Sequence, residues 1–219
     1  MNFIAIIMKK KDLKTKVTNS RVGNLCLFET IKIENRQLQN IQYHNTRFNS
    51  TRWKLFGITK ELVLEQEIII PENLSEGVYK CRIIYSGIIE IIEFEPYVPR
   101  KIQSLKLIEC NDIDYRYKYA DRTKLKSLFN QRKEYDDILI IKNGWVTDSS
   151  FSNVVFWDGD QWVTPARPLL KGTARERLIV AGKIHPEDIK VKAINQFHYA
   201  RLINAMIDLD ESSDIRVIG

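Results

Sequence analysis

The chain has 219 residues, 44% of them hydrophobic, so it can bury one large core or two modest ones, and its composition excludes a disordered protein. Its formal net charge is +6, but acids are interleaved with the basic residues after residue 20. We interpret the charge as a solvated surface that suits small anionic ligands, and we predict no nucleic-acid partner.

Three cysteines, Cys26, Cys81 and Cys110, lie far apart and form no C-x-x-C pair. This pattern argues against a disulfide framework and a zinc site, and it favours a reducing, cytoplasmic compartment. The N-terminal stretch "MNFIAIIMKKKDLKTK" has its apolar residues ahead of its charges and is too short to span a bilayer. We therefore predict no targeting signal and no membrane partner, and either Met1 or Met8 could be the natural start.

The first part of the chain predicts a hairpin, a helix and a second pair of strands. Residues 25–33, "LCLFETIKI", have strand character, and "ENRQLQN" predicts a turn and a short second strand. "YHNTRFNSTRWKLFG" has apolar residues at helical spacing and ends on Gly57, which suits a left-handed C-cap. "GVYKCRIIYSG" and "IIEIIEFEPY" predict paired strands around Gly87.

The segment "FEPYVPRK" marks a domain boundary, because Pro96 and Pro99 both disfavour helix and remove backbone donors. We predict a small N-terminal α+β domain over residues 1–95, a linker over 96–101 and a C-terminal domain over 102–219.

The C-terminal part predicts alternating strands and helices. "SLKLIEC" predicts a strand, "TKLKSLFNQR" a helix with Asp121 as its N-cap, and Asn143 and Gly144 a hairpin turn. A further helix begins near Thr173, "DIKVKAI" and "DIRVIG" predict strands, and "HYARLINAMIDL" is open between strand, turn and helix. Together the elements predict an α+β fold.

Polar motifs follow one another in this half of the chain. Lys118 stands just before a helix, Asp148 opens the polar loop "DSSFSN", and "LLKGTAR" opens the next helix. Taken singly, Lys118 could be a surface lysine and Asp148 a turn residue, so the residues alone leave their function open.

The order of these motifs resembles that of the class IV aminotransferases, which are pyridoxal-phosphate enzymes of fold type IV. The motifs are "KYADR", "DILIIKNGWVTDSSFSN", "TP" at residues 164 and 165, and "LLKGTAR". The resemblance covers nearly the whole chain from about Leu25 and is strongest over residues 118–175. It implies two small α/β domains with the cofactor site between them, the Schiff-base lysine in the C-terminal domain, and no metal.

The resemblance also implies roles for the cofactor-binding residues. Lys118 would hold pyridoxal 5'-phosphate and move a proton at the substrate carbon. Asp148 would pair with the pyridine nitrogen and raise its pKa, and the serine hydroxyls of the loop and the amide of Asn153 would orient that acid.

The phosphate would lie at the start of a helix, on the backbone amides of Thr173 and Ala174. Its positive partner would be Arg47, because "YHNTRF" is similar to the family's H-x-x-R helix. A solvated helix arginine is the alternative interpretation of Arg47.

For the substrate, Arg82 is the candidate partner of a carboxylate, although it could also be an exposed strand residue. Thr30 could relay a proton or bind water near the cofactor. Phe28 stands where many transaminases carry a tyrosine.

Two departures from the family pattern bear on activity. The usual glutamate is Asp148, shorter by about 1.5 Å, and Ala174 lacks the hydroxyl of the transaminase motif G-I-T-R. Ala174, together with Phe28, Thr30 and the small N-terminal domain, resembles the aminodeoxychorismate lyase branch. That branch eliminates pyruvate from 4-amino-4-deoxychorismate to give 4-aminobenzoate for folate synthesis.

Other functions remain open at this point. One is a branched-chain or D-amino-acid aminotransferase. Another is a catalytically silent homologue that serves as an interaction module, and a basic nucleic-acid-binding protein is supported only by charge. As partners, the resemblance implies a small amino substrate bearing a carboxylate and a second copy of the chain in a two-fold homodimer.

Overall fold

The computed structural model describes residues 6–9 and 25–217. Met1 and most of the N-terminal stretch considered above lie outside the described residues. The described strands are Ile6–Lys9 (β1), Leu27–Glu34 (β2), Gln37–Leu38 (β3), Val78–Tyr85 (β4), Ile89–Pro96 (β5), Ser104–Glu109 (β6), Asp137–Lys142 (β7), Trp145–Ser149 (β8), Asn153–Trp157 (β9), Trp162–Pro165 (β10), His185–Glu187 (β11), Tyr199–Ile203 (β12) and Arg216–Val217 (β13). The described α-helices are Ile41–Phe56 (α1), Leu64–Glu67 (α2), Thr123–Phe129 (α3) and Thr173–Val180 (α4), and short 3-10 helices cover Asn130–Arg132 and Val191–Gln196.

The chain forms two compact units, and one short segment crosses the predicted domain division. The first unit is Met1–Val98 with Tyr117–Asp121, and the second is Pro99–Arg116 with Arg122–Gly219. Lys118 therefore belongs to the first unit, not to the C-terminal domain where the sequence analysis placed it. The reason is backbone pairing that no local pattern reveals: Phe28 N donates to Lys118 O at 2.9 Å, and Ala120 N donates to Cys26 O at 2.8 Å.

The first unit is an antiparallel sheet in the order β1-β5-β4-β2-β3 with helix α1 beside it. The predicted hairpins are confirmed, and α1 ends at Gly57, whose φ of 68° is the left-handed C-cap expected from the sequence. Alternation along β2 buries Leu27, Ile31 and Ile33 in the core with Phe48 of α1.

The second unit contains the order β11-β10-β9-β8-β7-β6-β13, and β12 pairs with β9. Strands β6 and β7 are parallel, and β7 and β8 form the predicted hairpin. Its turn residues Asn143 and Gly144 have φ values of 51° and 77°, both in the left-handed region that such tight turns require. The main core of this unit packs strand residues such as Leu139, Val154 and Phe156.

Three local expectations need correction or completion. Arg122, not Asp121, occupies the N-cap position of α3. "DIKVKAI" is not a strand: Lys190 forms one isolated bridge with Trp145, and a 3-10 helix follows. A strand would have placed Ile189 and Ile194 on opposite faces, whereas the fold buries both. "HYARLINAMIDL" begins as strand β12, and "DIRVIG" contributes the short strand β13.

None of the helices in the described ranges is long and apolar enough to cross a membrane.

Candidate functional site

Lys118 is fixed against the start of strand β2 by backbone contacts on both sides. Its carbonyl accepts the Phe28 N–H, and its neighbour Tyr119 forms an isolated bridge with Leu27. The Lys118 Nζ lies 4.7 Å from the centroid of the Phe28 ring. The structure thus brings together Lys118 and Phe28, two residues that the sequence separates by 90 positions.

Arg82 shares the same aromatic ring. Its guanidinium carbon lies 4.6 Å from the Phe28 centroid, so two cations contact one ring, and such contacts are favourable. Arg82 is directly opposite Thr30 across the β2 and β4 pair, and alternation along β2 places Phe28 and Thr30 on the same face. Within the described residues, the buried Nε of Arg82 has no hydrogen-bond partner. This face of the first unit therefore offers an amine, a hydroxyl and an unsatisfied guanidinium donor.

Arg47 lies on helix α1 and is paired with an acid that the sequence analysis missed. Its Nε donates to Glu29 Oε1 at 2.9 Å, and its Nη2 donates to Glu29 Oε2 at 2.5 Å. His44, one helical turn earlier, approaches the same Oε2 through Nδ1 at 2.7 Å. Arg47 is therefore an oriented, partly buried arginine, with 15% of its side chain exposed, and not the solvated helix arginine that the sequence left open.

Burial and charge act in opposite directions on this group. Burial alone would raise the pKa of the Glu29 carboxyl, but Arg47 and the hydrogen bond from His44 lower it to about 2. For His44, burial outweighs the attraction of Glu29 and lowers the imidazole pKa. The physical result is an ionised carboxylate that accepts hydrogen bonds from a guanidinium and a neutral imidazole.

Asp148 lies near the end of strand β8 in the second unit and is 5% exposed. Asn153 faces it across β8 and β9, and its Nδ2 donates to Asp148 Oδ1 at 2.7 Å. The Leu170 N–H donates to Asp148 Oδ2 at 2.9 Å, and Asn153 Nδ2 also donates to Leu170 O at 2.8 Å. Each carboxylate oxygen thus receives a bond, which fixes the acid's orientation.

The pKa of Asp148 reflects this enclosure. Burial raises the pKa, the Leu170 N–H, the Asn153 amide and the nearby Arg175 partly oppose that rise, and the net result is a pKa of about 6. Arg175 itself is buried and donates to Pro165 O at 3.0 Å. Asp148 is therefore a buried acid that titrates close to neutrality, not a turn residue exposed to solvent.

The serines around Asp148 organise the loop and not the acid. Ser149 Oγ accepts the Ser152 N–H at 3.0 Å, and Ser152 Oγ accepts a bond from Asn204 at 2.8 Å. Arg122 donates to the carbonyl of Ser150. The loop is thereby tied to other parts of the second unit and holds β8 and β9 in register.

Helix α4 begins beside this acid, with Gly172 at the N-cap and Thr173 and Ala174 buried in its first turn. The first N–H groups of a helix have no partner within the helix, and a helix start of this kind suits an anion. A Cβ added to Gly172 would lie 2.0 Å from Asn153 Oδ1. Only glycine lets the helix start this close to the side chain that orients Asp148.

One further functional residue, Glu29, had a signal in the sequence. Glu29 stands on β2 at the same parity as Leu27 and Ile31, which predicts a buried acid in need of partners. The contact between Gly172 and Asn153 had no such signal, because it depends on how the helix start meets the strand.

A cavity of about 300 Å³ also lies in the second unit. Its lining includes Trp145, Thr147 and Leu169 and none of the residues predicted to bind cofactor or substrate. Two of its arginines, Arg116 and Arg167, are already paired with aspartates.

Comparison with known proteins identifies the same family as the motifs. The family model for amino-transferase class IV matches residues 116–209. An uncharacterized protein of Haemophilus influenzae is 39% identical over 182 residues, which is 82% of this chain and 97% of that protein.

Solved structures indicate the same family and fold. A protein of Haemophilus somnus named as a "putative 4-amino-4-deoxychorismate lyase" is 36% identical, with a TM-score of 0.78 over 86% of this chain and 100% of that chain. An aminotransferase of Brucella abortus bound to the co-factor PLP matches 99% of this chain and 91% of its own at a TM-score of 0.67. Its 14% identity shows a shared fold alone.

Proposed function

Because the chain belongs to the class IV aminotransferases, a family of pyridoxal-phosphate enzymes with this α+β fold, we propose that it is a pyridoxal-phosphate-dependent lyase. The proposed substrate is 4-amino-4-deoxychorismate, and the products are 4-aminobenzoate and pyruvate. The support for this branch is the name of the 36% identical Haemophilus somnus protein, together with Phe28 and Ala174, where transaminases carry other residues.

The chemistry of the side chains fits the cofactor. The observation that carries this is Asp148, a buried carboxylate whose orientation is fixed by hydrogen bonds to both of its oxygens. An ionised carboxylate offers about four lone-pair sites, so this acid can accept a further bond from a protonated ring nitrogen. The backbone N–H groups at the start of helix α4 and the guanidinium of Arg47 are the groups suited to bind the phosphate.

Pyridoxal phosphate, when bound, supplies an electron sink that stabilises negative charge at the substrate carbon. Lys118 is the residue that would hold it and then take the proton from C4 of the substrate. The backbone hydrogen bond between Lys118 and Phe28 fixes the chain segment that contains Lys118, and this favours a well-defined position for the Lys118 amine.

The remaining steps fall to residues on the same face of the first unit. Arg82 would bind a substrate carboxylate, which would satisfy its buried Nε. As the bond between C3 and the enolpyruvyl oxygen breaks, Thr30 would relay a proton to the departing group. The ring becomes aromatic, and pyruvate is released.

We also propose that the protein works as a two-fold homodimer, as the family resemblance implies. Light scattering or sedimentation at micromolar concentration checks this, and a stable monomer that retains activity would contradict it.

The test of function is product formation by the protein loaded with pyridoxal phosphate. We expect 4-aminobenzoate and pyruvate in equal amounts from aminodeoxychorismate, and little amino transfer from a panel of branched-chain and D-amino acids to 2-oxoglutarate. Lys118→Ala should abolish the reaction, whereas Lys126→Ala, which removes an exposed lysine of α3, should not.

Each alternative gives a different result. Amino transfer without 4-aminobenzoate would identify an aminotransferase. If the protein shows no violet absorbance after loading and forms neither product, the proposed function is wrong and a catalytically silent homologue is favoured.

A further inference from the structure

Glu29 is a fully buried acid for which the proposed reaction has no direct use. It lies on β2 between core residues and is 0% exposed. Burying a carboxylate is costly unless charged or hydrogen-bonding groups compensate it. A buried carboxylate at this position therefore needs specific partners, and the structure supplies Arg47 and His44.

Both partners come from one face of helix α1. Arg47 and His44 are three residues apart, so they point in the same direction from the helix. Arg47 forms a two-point contact with the carboxylate, at 2.9 and 2.5 Å, and His44 adds a bond of 2.7 Å to Oε2. A fork contact of this kind fixes the plane of a guanidinium as well as its position.

The charges of this group sum to zero, because Glu29 is ionised, Arg47 is a cation and His44 is neutral. The pKa of Glu29 is lowered to about 2 and burial lowers that of His44, so this state holds around neutral pH. The group therefore adds no net charge that could attract an anion. What it provides is a guanidinium whose orientation is already set before a ligand arrives.

We propose that Glu29, supported by His44, is a positioning residue that holds Arg47 in the orientation in which it binds the phosphate of the cofactor. This inference rests on the proposed function, in which Arg47 contacts that phosphate. An arginine that is already ordered loses less side-chain entropy on binding, so removing Glu29 weakens phosphate recognition even though it removes a negative charge.

The test compares two ligands that differ only in the phosphate. The affinity of the apoprotein for pyridoxal phosphate and for pyridoxal is measured by absorbance titration. The affinity for pyridoxal phosphate divided by that for pyridoxal reports phosphate recognition. Glu29→Gln should lower this ratio about tenfold and leave pyridoxal binding nearly unchanged. Glu95→Gln, which removes an acid of the surface pair with Lys80, is the matched control and should leave the ratio unchanged.

A second variant separates geometry from charge. Glu29→Asp keeps the negative charge but is too short to keep both contacts with Arg47, so it should also lower the ratio. It is the variant to measure if Glu29→Gln does not fold. A ratio that stays at the wild-type value in both variants, or rises in either, would overturn the inference, and an equal loss for both ligands would show a merely structural role.

Failure of this inference differs from failure of the proposed function. If Arg47→Met loses phosphate recognition and the cofactor is still found on Lys118, but the Glu29 variants behave as wild type, the inference alone is wrong. If the wild-type protein binds neither ligand, both are wrong.

Discussion

The contact between Gly172 and Asn153 makes Gly172→Ala a sharp test of how the acid Asp148 is held. Gly172 has φ −71° and ψ 147°, which alanine adopts without strain, so any cost must be steric. The new Cβ would lie 2.0 Å from Asn153 Oδ1. Ordinary contact between these atoms needs about 3.2 Å, so the amide must retreat by more than about 1 Å.

That movement removes the bonds that the amide makes. Asn153 Nδ2 donates to Asp148 at 2.7 Å and to Leu170 O at 2.8 Å. Losing a buried bond to a charged group costs about 1.5–3 kcal/mol, and alanine returns about 0.4–1 kcal/mol through the entropy of the unfolded chain. We expect Gly172→Ala to lower the free energy of unfolding by about 2 kcal/mol.

A double-mutant cycle supplies the control. In an Asn153→Ala background the atoms that the new Cβ would meet are gone, and the next nearest, Arg175 Cβ, lies at 3.9 Å. Gly172→Ala should then be neutral or slightly stabilising. Urea denaturation followed by tryptophan fluorescence measures all four proteins. Equal destabilisation of both backgrounds by Gly172→Ala would refute the steric argument.

Three further predictions concern other residues. Since the pKa of folded Asp148 is raised to about 6, its contribution to apoprotein stability is present near pH 4 and lost by pH 7. In denaturation experiments at a series of pH values, Asp148→Asn should remove about 3 kcal/mol of that pH dependence. An unchanged dependence of the free energy of unfolding on pH would contradict this prediction. Arg52 donates to Gly87 O, Asn49 Oδ1 and Lys60 O, so Arg52→Ala should destabilise the first unit by about 2–4 kcal/mol, as measured by hydrogen exchange. Lys118→Ala should keep the wild-type circular dichroism spectrum but lose violet absorbance with pyridoxal phosphate; retained absorbance would argue against the assignment.

The sequence predicted best those elements whose signal is local. Strand β2 has apolar residues at alternate positions that are buried, helix α1 ends on a glycine with left-handed geometry, and Asn143 with Gly144 encodes a tight turn. In each case the backbone preference, the hydrophobic pattern and the tertiary packing favour the same local structure. The 3-10 helix Val191–Gln196 was missed because burial of Ile194 depends on packing against distant strands.

The candidate site was predictable only in part, because several of its contacts depend on residues far apart in the sequence. The order of motifs predicted Lys118 and Asp148 as site residues, and the pairing of Asp148 with Asn153 follows from their places on facing strands. The assignment of Lys118 to the first unit follows from a long-range backbone bond to Phe28, which leaves no trace in either local sequence. Glu29 could have been suspected from its parity on β2, but its partners on α1 could not.

The central claim is that Lys118 carries the cofactor. Borohydride treatment of the protein loaded with pyridoxal phosphate fixes the cofactor to the amine that holds it, and peptide mapping by mass spectrometry then locates that amine. We predict a pyridoxyl group on Lys118 in stoichiometric amount, absent from Lys118→Ala and unchanged in Lys126→Ala. A pyridoxyl group on another lysine, or on none, would contradict the claim.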